Sequence, residues 1–436
     1  MVERVVSSSF RDPSGHLYWE DGLLYRRISP AYQATYRYLM DSGLYQELVN
    51  GDLLIPHEEV SPSLIRPEIV RTISYPYEWS FSMLKDAALA TLELQRKALE
   101  YGMSLKDASA YNIQFHKRRP LLIDTLSLYL YKEGEPWGAY RQFCQHFLNP
   151  LALAAYRDVR LLQYFKASLD GYPLDFTTRL LPFRARCNYG LLLHLYLHSV
   201  GGKVKVGSRL PKSRLGALLQ TLVSTIEGLK WKPKGTWEDY TKQYDYSNFK
   251  AHSVEDLLRE TGAKTAWDLG ANVGLYSRVA SDLGMEVVAI DSDPACVELC
   301  YLSNGLDRCL PLLVDLTNPS PGIGWMNKER DALSSRGPTD VVMALALIHH
   351  LAIGNNLPLE SIAEFLASLG HWLIVEWVPK EDPRVQLMLS TREDIFPDYT
   401  QKAFEESLTR YFRAVRMEPV KDSLRVLYLM EKRDDE

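Results

Sequence analysis

From Thr265 onward, short apolar runs alternate with segments long enough to form a helix. Five of these runs are almost continuously apolar, as are the strands of a parallel sheet that is buried on both faces. Two more runs are separated only by the turn Lys421-Asp-Ser423, which predicts an antiparallel hairpin at one edge. The runs are TAWDLG (265–270), EVVAID (286–291), LPLLVD (310–315), DVVMALAL (340–347), HWLIVEWV (371–378), YFRAVRMEPV (411–420) and LRVLYLMEK (424–432). The pattern predicts an α/β fold with a seven-stranded, mostly parallel, doubly wound sheet.

Two polar breaks separate this pattern from the earlier part of the chain. They lie at Gly201–Arg214 and Lys230–Trp237, and the segment between them predicts a helix over Leu215–Leu229. A chain of 436 residues is also too long for one ordinary domain. The predicted domains are an N-terminal α+β, largely helical domain (1–205), a linker with a bridging helix (206–235) and the α/β domain (236–436).

Composition excludes several classes of protein. The 46% hydrophobic and 24% charged residues are typical of a folded chain, and the formal charge of -5 provides no global basic field for nucleic acid. The first fifteen residues lack the apolar core of a secretory signal. The longest apolar candidate, Tyr189–Val200, contains two histidines and is shorter than the roughly 20 residues of a spanning helix. We therefore expect a cytoplasmic protein that has no membrane partner.

The cysteines do not predict a disulfide framework or a metal site. Five cysteines are few for a chain of this length. Cys296 and Cys300 are four residues apart in a helical stretch, but no nearby histidine or further cysteine completes a zinc spacing. We interpret both as small buried side chains and expect no metal.

A glycine-containing loop follows the first apolar run. It reads Asp268-Leu-Gly-Ala-Asn-Val-Gly274 and precedes a helix that begins near Leu275. Gly270 and Gly274 allow a sharp turn close to a ligand, and the start of the helix offers unpaired amides. A dinucleotide loop would have its second glycine where Asn272 stands. The Asp268 carboxylate would repel a pyrophosphate but suits a cationic amino-acid group, so the loop favours S-adenosylmethionine over NAD.

Two further apolar runs end in an acidic residue. Asp291 stands at the end of the second run, where a carboxylate can accept hydrogen bonds from both hydroxyls of a ribose, and Asp315 ends the third, near the expected adenine. Together with the loop, these features resemble the class I, seven-stranded S-adenosylmethionine-dependent methyltransferases over roughly residues 236–436. The cofactor-binding residues implied by the resemblance are Asp268, Gly270, Asn272, Gly274, Asp291 and Asp315. The loop differs in having no third glycine between Gly270 and Gly274.

Candidate catalytic residues follow the fourth and fifth runs. His349 and His350 come after the fourth, where a neutral imidazole can accept a proton from an acceptor hydroxyl as the methyl group is transferred. The alternative is that one histidine packs in the interior or caps the next element, while the other is exposed to solvent. Glu376, at the end of the fifth run, is a second candidate. We predict methyl transfer to an oxygen, or less readily a nitrogen, of a small-molecule or glycan-like acceptor. The competing hypothesis is a non-catalytic binding scaffold.

Nucleic-acid methylation is not favoured. Asn318-Pro-Ser-Pro321 differs from the loop of N6-adenine methyltransferases, since it follows the third run and does not end in an aromatic residue. A cytosine-C5 enzyme would need a cysteine after proline or threonine, and none stands there. We therefore expect no nucleic-acid partner.

The N-terminal half carries a second pattern of polar residues. Asp107 and Asn112 are five residues apart, Asp124 ends an apolar run, and a predicted helix over Glu78–Tyr101 lies upstream. Over roughly residues 70–170, this arrangement resembles the catalytic loop of kinase-like phosphotransferases. No His-Arg precedes Asp107, and Thr-Leu follows Asp124 in place of Phe-Gly. The prediction is a degenerate kinase-like domain that shapes the methyltransferase pocket; the alternative is a helical domain in which these side chains cap turns.

Four aromatic residues precede the first apolar run of the α/β pattern. They are Trp237, Tyr240, Tyr244 and Tyr246. Aromatic faces suit a sulfonium cation, so the segment is a candidate for closing over the cofactor. Packing between the two domains is the alternative.

Overall fold

The computed structural model describes residues 4–197, 210–233 and 247–433. The chain forms two compact units. The first comprises residues 1–232 together with 322–330, and the second comprises residues 233–321 and 331–436. The segment 322–330 therefore belongs to the first unit, although it lies within the part of the sequence that predicted the α/β domain.

The first unit begins with a small antiparallel sheet. Its strands are β1 (Arg4–Val5), β2 (Gly15–Glu20), β3 (Leu23–Ile28), β4 (His57–Ser61) and β5 (Leu64–Pro67). They lie in the order β1-β2-β3-β5-β4. Asp21 and Gly22 join β2 to β3 with φ values of 50° and 78°, as a tight two-residue hairpin turn requires.

A long helix, Phe81–Glu100, follows this sheet and is buried along one face. The hydroxyl of Ser80 accepts the backbone N–H of Met83 and caps its start, and Gly102 has a φ of 73° just beyond its end. Two short antiparallel pairs come next. They are β6 (Met103–Leu105) with β9 (Leu128–Leu130), and β7 (Ile113–His116) with β8 (Arg119–Leu122).

The remainder of the first unit is mostly helical. Its other α-helices are Gln33–Asp41, Leu44–Asn50, Tyr140–Phe143, Asn149–Tyr156, Leu174–Leu180, Tyr189–Leu191 and Lys212–Gly228. Its 3₁₀ segments are Pro76–Glu78, Ala110–Asn112, Val159–Lys166, Phe183–Cys187 and Trp325–Asn327, and its π segments are Cys144–Leu148 and Leu192–Leu197. Across the described ranges of the chain, no helix is long and apolar enough to cross a membrane.

The helix that was predicted to bridge the domains is built into the first unit. It spans Lys212–Gly228, and the ammonium group of Lys85 donates hydrogen bonds to the carbonyls of Glu227 (2.8 Å) and Leu229 (3.0 Å) at its end. The structure thus attaches this helix to the long helix Phe81–Glu100.

The second unit is built on the predicted seven-stranded sheet. Its strands are β10 (Thr265–Leu269), β11 (Glu286–Asp291), β12 (Cys309–Leu313), β13 (Thr339–Ala344), β14 (Gly370–Trp377), β15 (Phe412–Pro419) and β16 (Val426–Lys432). Their order is β12-β11-β10-β13-β14-β16-β15. The first five pair in parallel, and β15 and β16 form an antiparallel hairpin at the edge. The fold class predicted for this part of the chain is confirmed.

Helices connect the strands of this sheet. The α-helices of the unit are Ser247–Thr261, Leu275–Asp282, Pro294–Leu302, Leu359–Leu369, Pro383–Leu389 and Gln401–Thr409, with a 3₁₀ turn at Leu333–Ser335 and a π segment at His350–Gly354. Because the central strands run in parallel, their carboxyl ends meet at one edge, where open α/β sheets bind ligands. Residue Leu269 of β10 lies beside Ile290 of β11 there, and Asp291 lies beside Leu313 of β12.

Candidate cofactor and catalytic site

The glycine loop between β10 and the helix Leu275–Asp282 has a left-handed backbone at three positions. Gly270, Asn272 and Gly274 have φ values of 72°, 53° and 84°. A Cβ atom on Gly274 would lie 2.6 Å from the sulfur of Cys300, and one on Gly270 would lie 3.2 Å from a methyl carbon of Leu347. Both glycines are therefore needed for backbone conformation, and Gly274 is needed for space as well.

The loop is tied to the end of β11. The backbone N–H groups of Gly270 and Ala271 both donate to the carbonyl of Ile290 at 2.9 Å. The N–H of Asn272 donates to one carboxylate oxygen of Asp291 (2.8 Å), and the N–H of Asp293 donates to the other (2.9 Å). Each oxygen has capacity for a further hydrogen bond. The structure thus brings the predicted loop and the predicted ribose acceptor together, and burial raises the pKa of Asp291.

Asp268 lies near the end of β10 and is buried. The hydroxyl of Ser277, from the following helix, donates to its carboxylate at 2.6 Å. Burial raises the pKa of Asp268 to about 6, against the lowering effect of that hydrogen bond. A carboxylate that is short of positive charge is a suitable partner for a ligand ammonium group.

Asp315 stands in a different position from the one predicted. The third strand ends at Leu313, so Asp315 lies two residues beyond it and is exposed. It remains at the same edge of the sheet, because the N–H of Val314 donates to the carbonyl of Asp291 at 2.9 Å. One oxygen of Asp315 accepts both the N–H (2.9 Å) and the hydroxyl (2.7 Å) of Thr317. The exposed carboxylate can still accept a hydrogen bond from a ligand edge.

His349 and His350 follow β13 with their ring centroids 4.3 Å apart. His349 is only 2% exposed, and its Nδ1 has no hydrogen-bond partner in the part of the chain that the structure describes. Burial, together with nearby cationic side chains, lowers the pKa of His349 to about 3. His350 keeps an exposed side, while desolvation of the rest of its ring lowers its pKa and the charge of Asp291 opposes that change. The two histidines therefore have different environments, which their adjacency in sequence did not reveal.

Glu376 lies in β14 at the centre of a buried cluster of charges. Its carboxylate accepts a hydrogen bond from the ammonium group of Lys250 and forms a 3.5 Å ion pair with Arg425. Arg425 also donates two hydrogen bonds to Asp382, at 2.7 and 3.1 Å. Glu376 was predicted as a substrate contact, but its carboxylate is engaged by two cations and fully buried. This arrangement is better suited to holding elements together than to abstracting a proton.

Sequence reasoning did not identify Lys250, Arg425, Asp382 or Ser277. Lys250 lies in the helix Ser247–Thr261, and its charge acts on both Asp268 and Glu376. Neither a lysine in a helix nor an arginine just before β16 gives a sequence signal of this kind. Their contacts with Glu376 make them part of the candidate site.

Four aromatic residues were predicted to close over the cofactor. They are Trp237, Tyr240, Tyr244 and Tyr246, and all lie outside the described residues. Among the described residues, the ring centroid of Tyr276 lies 4.8 Å from the ammonium group of Lys250.

In the first unit, the two aspartates of the kinase-like pattern are engaged in other contacts. Asp107, after β6, accepts the N–H of Ser109 and the side-chain amide of Gln142. Asp124, after β8, accepts the N–H of Leu126 (3.0 Å) and the hydroxyl of Ser127 (2.7 Å). Both aspartates therefore cap turns, as the alternative interpretation expected.

A buried arginine also neutralises Asp124. Arg26 of β3 is 5% exposed, and one guanidinium nitrogen lies 2.6 Å from Asp124 and 2.6 Å from Asp12. The ammonium group of Lys106 is 3.7 Å from Asp12. Within the described ranges, no group of three or more His, Cys, Asp or Glu side chains is arranged to hold a metal ion. Protein cations thus occupy the place beside Asp124 that a divalent ion would need.

The chain was compared with known proteins. No family model matches it. Solved structures of similar fold include magnesium protoporphyrin IX methyltransferase (ChlM) from Synechocystis PCC 6803 with bound SAH, at 17% identity over 47% of this chain and 90% of that chain, with a TM-score of 0.32. N-methyltransferase NodS from Bradyrhizobium japonicum WM9 has 8% identity over 45% of this chain and 91% of that chain, with a TM-score of 0.33. Scores this low say nothing about the reaction or substrate of the present chain.

One sequence relative is much more similar. Nodulation protein NoeA of Rhizobium meliloti (strain 1021) is 35% identical over 463 residues. The alignment covers 98% of this chain and 96% of the relative, so it includes both units. The chain therefore belongs to the family of the nodulation protein NoeA.

Proposed function

We propose that the chain transfers a methyl group from S-adenosylmethionine to an oxygen, or less readily a nitrogen, of a small-molecule or glycan-like acceptor. The observation that carries the proposal is the hydrogen bond from the N–H of Asn272 to the carboxylate of Asp291. It orients a strand-end carboxylate beside a left-handed glycine loop, with capacity left on both oxygens. This is the arrangement that a ribose with two adjacent hydroxyls requires.

Each residue of the site has a distinct part in the proposal. Asp291 accepts hydrogen bonds from the ribose, and the ionised form of Asp268 receives the ammonium group of the amino-acid moiety. The cofactor supplies a methyl group on a positively charged sulfur. Transfer is an in-line displacement, so the chain contributes mainly by holding donor and acceptor in line.

His350 is our candidate for the proton acceptor. A hydroxyl acceptor must lose its proton as the methyl group arrives, and a base acts best when its pKa is near the working pH. His349, with a pKa of about 3, is too weak a base for this step. His350 has an exposed side; desolvation lowers its pKa, and the charge of Asp291 opposes that change.

The name of the 35% identical relative indicates where to look for the acceptor. That protein is called a nodulation protein, so compounds made for nodulation are the first acceptors to test. We assign recognition of the acceptor to the loops after β13 and β14.

A second candidate function is a binding scaffold that retains the methyltransferase fold. The contact of Arg26 with both Asp12 and Asp124 favours it for the first unit, since a fixed guanidinium competes with a metal-bound nucleotide. Under this second hypothesis, the first unit binds no ATP, and the second unit binds S-adenosylmethionine without transferring its methyl group.

Calorimetric titrations of the full chain with S-adenosylmethionine and with magnesium–ATP test these functions. We expect S-adenosylmethionine to bind and ATP not to bind. Asp291→Ala should weaken cofactor binding at least tenfold, because a hydrogen bond to a charged group contributes about 1.5–3 kcal/mol. Asp291→Asn keeps the shape of the side chain and should give an intermediate loss. If neither ligand binds the native chain, the enzyme proposal fails; if only ATP binds, Asp107, Asn112 and Asp124 become the site to study.

A further inference from the structure

One stretch of the first unit contains no acidic residue. Between Asp175 and Glu227 the sequence has eight lysines and arginines and no aspartate or glutamate. The whole chain carries a formal charge of -5, whereas the lysines and arginines of this stretch are all positively charged. The cations are Arg179, Arg184, Arg186, Lys203, Lys205, Arg209, Lys212 and Arg214. A charge asymmetry of this size indicates an anionic partner.

The described part of this stretch is held firmly in the first unit. It includes the 3₁₀ segment Phe183–Cys187 and the helical residues 189–197. A Cβ atom on Gly190 would lie 1.8 Å from the hydroxyl of Thr225, so the two backbones are in close contact. The buried ring of His194 hydrogen-bonds Tyr140 at 2.9 Å and Thr221 at 3.2 Å. The segment is thus a fixed platform against the helix Lys212–Gly228.

Three large apolar side chains of this segment are exposed. Phe183 is 76% exposed, Tyr189 is 72% exposed and Leu197 is 57% exposed. Exposed apolar side chains that lie close together beside unneutralised charge mark interaction sites on folded proteins.

Three exposed arginines accompany the apolar side chains. Arg179, Arg184 and Arg186 form no ion pair with a carboxylate among the described residues. The guanidinium carbon of Arg186 lies 5.4 Å from the ring centroid of Phe183 and 4.9 Å from that of Tyr196. Arg184 lies 5.8 Å from the ring centroid of Tyr156. Stacking on aromatic faces keeps these charges oriented outward without cancelling them.

We propose that this arginine–aromatic surface docks the protein peripherally on an anionic lipid bilayer. The surface consists of Arg179, Phe183, Arg184, Arg186, Tyr189 and Leu197. Arginine contacts lipid phosphates while the aromatic and leucine side chains enter the region between headgroups and acyl chains. A soluble polyanion would attract the arginines but would leave Leu197 and Phe183 in water, so the combination favours a bilayer.

This proposal departs from the sequence-based expectation of no membrane partner. That expectation used the global charge and the length of the apolar runs. The length of an apolar run shows whether a segment can span a bilayer, but not whether a protein binds at its surface. Peripheral docking needs neither, because a local patch of charge and a few apolar side chains are sufficient.

The test uses the full chain and extruded vesicles. Binding is measured by co-sedimentation with vesicles of phosphatidylcholine alone and with vesicles in which a third of the lipid is phosphatidylglycerol. We expect the native protein to bind the anionic vesicles at least tenfold more tightly and to be partly released by salt, since the attraction decays within a Debye length.

Two double variants separate the charged and apolar contributions. Arg184→Gln with Arg186→Gln should weaken binding to anionic vesicles by roughly 25-fold, or about fivefold per arginine. Phe183→Ser with Tyr189→Ser should lower the binding that persists at high salt. Arg37→Gln and Phe10→Ser are matched controls, because both side chains are exposed elsewhere on the first unit. The controls should bind within twofold of the native protein.

Three results would overturn the proposal. The first is equal binding to neutral and anionic vesicles, and the second is equal loss in the variants and the controls. The third is binding to dextran sulfate without binding to vesicles, which would identify a soluble polyanion as the partner. All the variants change exposed side chains, so we expect their thermal unfolding and their S-adenosylmethionine titration to match those of the native protein. A loss of vesicle binding with both measurements unchanged is independent of the proposed methyl transfer.

Discussion

Among single residues, Asp268 combines a proposed role in cofactor binding with a cost in stability. Its pKa is raised to about 6 from an ordinary value of 3.8, so the folded protein retains a proton that the unfolded chain releases between these values. The free energy of unfolding therefore decreases as pH rises from about 4 to 6, and the ionised, buried carboxylate destabilises the free protein at neutral pH. A ligand ammonium group would remove that penalty by favouring the charged form.

The first prediction follows from this balance. Asp268→Asn keeps an oxygen that can accept the hydroxyl of Ser277 but has no charge to desolvate. We expect the free variant to be more stable than the native protein at pH 7, by on the order of 3 kcal/mol for a pKa shift of about two units. Urea unfolding at pH 4 and pH 7 measures this, and the gain should be smaller at pH 4.

The same variant should bind S-adenosylmethionine more weakly. Native affinity should fall as pH drops through about 6, because the protonated form of Asp268 no longer attracts a cation. Titration of Asp268→Asn should show a flatter dependence on pH in this range. A variant that is destabilised yet binds normally would contradict the assignment of Asp268 to the ligand.

The second prediction distinguishes the two histidines. If His350 is the base, His350→Ala should lower turnover by about 10²–10⁴ and leave cofactor affinity within a few-fold. His349→Ala should instead reduce the free energy of unfolding, since it removes a buried ring from a packed position. Single-turnover assays and thermal unfolding of both variants measure the two effects.

The pH profile provides an independent check on His350. Its pKa is lowered by desolvation, so the imidazole stays neutral at pH 7, and the native rate should fall only below the ordinary histidine value of about 6.5. Two active variants with native pH profiles would leave positioning as the source of catalysis.

Among secondary-structure elements, the glycine loop and the helix Pro294–Leu302 constrain each other. Gly274 has a φ of 84°, and the sulfur of Cys300 occupies the space that a side chain would need. Gly284 has a similar φ of 87°, but a Cβ atom added there would meet open space among the described residues. Gly274 and Gly284 thus share a left-handed backbone conformation, but a side chain would clash at Gly274 and not at Gly284.

The third prediction uses that difference. Gly284→Ala should destabilise by about 1 kcal/mol through backbone strain alone, whereas Gly274→Ala should cost about 1–3 kcal/mol more because of the steric clash. Adding Cys300→Ala should recover part of the extra loss. Urea unfolding of the native protein, Gly274→Ala, Cys300→Ala and the double variant gives the coupling energy. A coupling near zero would show that the loop moves away from the helix.

The fourth prediction concerns the buried charges that join β14 to other elements. Glu376→Gln leaves the ammonium of Lys250 and the guanidinium of Arg425 facing a neutral group, which should destabilise the fold by about 3 kcal/mol or more. Glu255→Gln, on the same helix as Lys250, breaks an exposed pair with Arg259 and should cost less than about 1 kcal/mol. Equal stability of the two variants, with loss of turnover in Glu376→Gln, would restore Glu376 as a catalytic candidate.

In the molecule as a whole, the two units are linked by more than one passage of the chain. The segment Gly322–Arg330 leaves the second unit and returns to it, and its residues are part of the first. The buried carboxylate of Glu329 hydrogen-bonds Arg11, and the guanidinium of Arg330 lies 4.7 Å from the ring centroid of Tyr111. The first unit is therefore incomplete without residues from the later part of the sequence.

The fifth prediction tests this connection. In the full chain, Glu329→Gln with Arg330→Gln should lower the stability of the first unit by roughly 1–2 kcal/mol, since a half-exposed ion pair and a cation–π contact are lost. Pulse proteolysis detects the unit that opens first. Arg413→Gln, in an exposed pair of the second unit, is the control and should leave the proteolysis pattern unchanged.

Local sequence was enough to predict the sheet, the glycine loop and the acidic end of β11. An apolar run of five or six residues encodes a buried strand, and a glycine encodes a backbone conformation, wherever the rest of the chain lies. The hairpin at Asp21-Gly22 was predictable for the same reason. The exact end of β12, and with it the position of Asp315, was not, since strand ends depend on pairing with β11.

The packed fold was needed to establish which charges meet and how the two adjacent histidines differ in burial. Lys250 and Glu376 are 126 residues apart, and Arg425 is 49 residues beyond Glu376. Ion pairs of this kind depend on side-chain placement in three dimensions, and a pKa depends on burial and on neighbours from several elements. For the same reason, Arg26 beside Asp124 and the segment 322–330 within the first unit gave no signal in the sequence. Periodic patterns report which residues are buried, whereas the contacts of each buried polar group depend on how distant parts of the chain pack together.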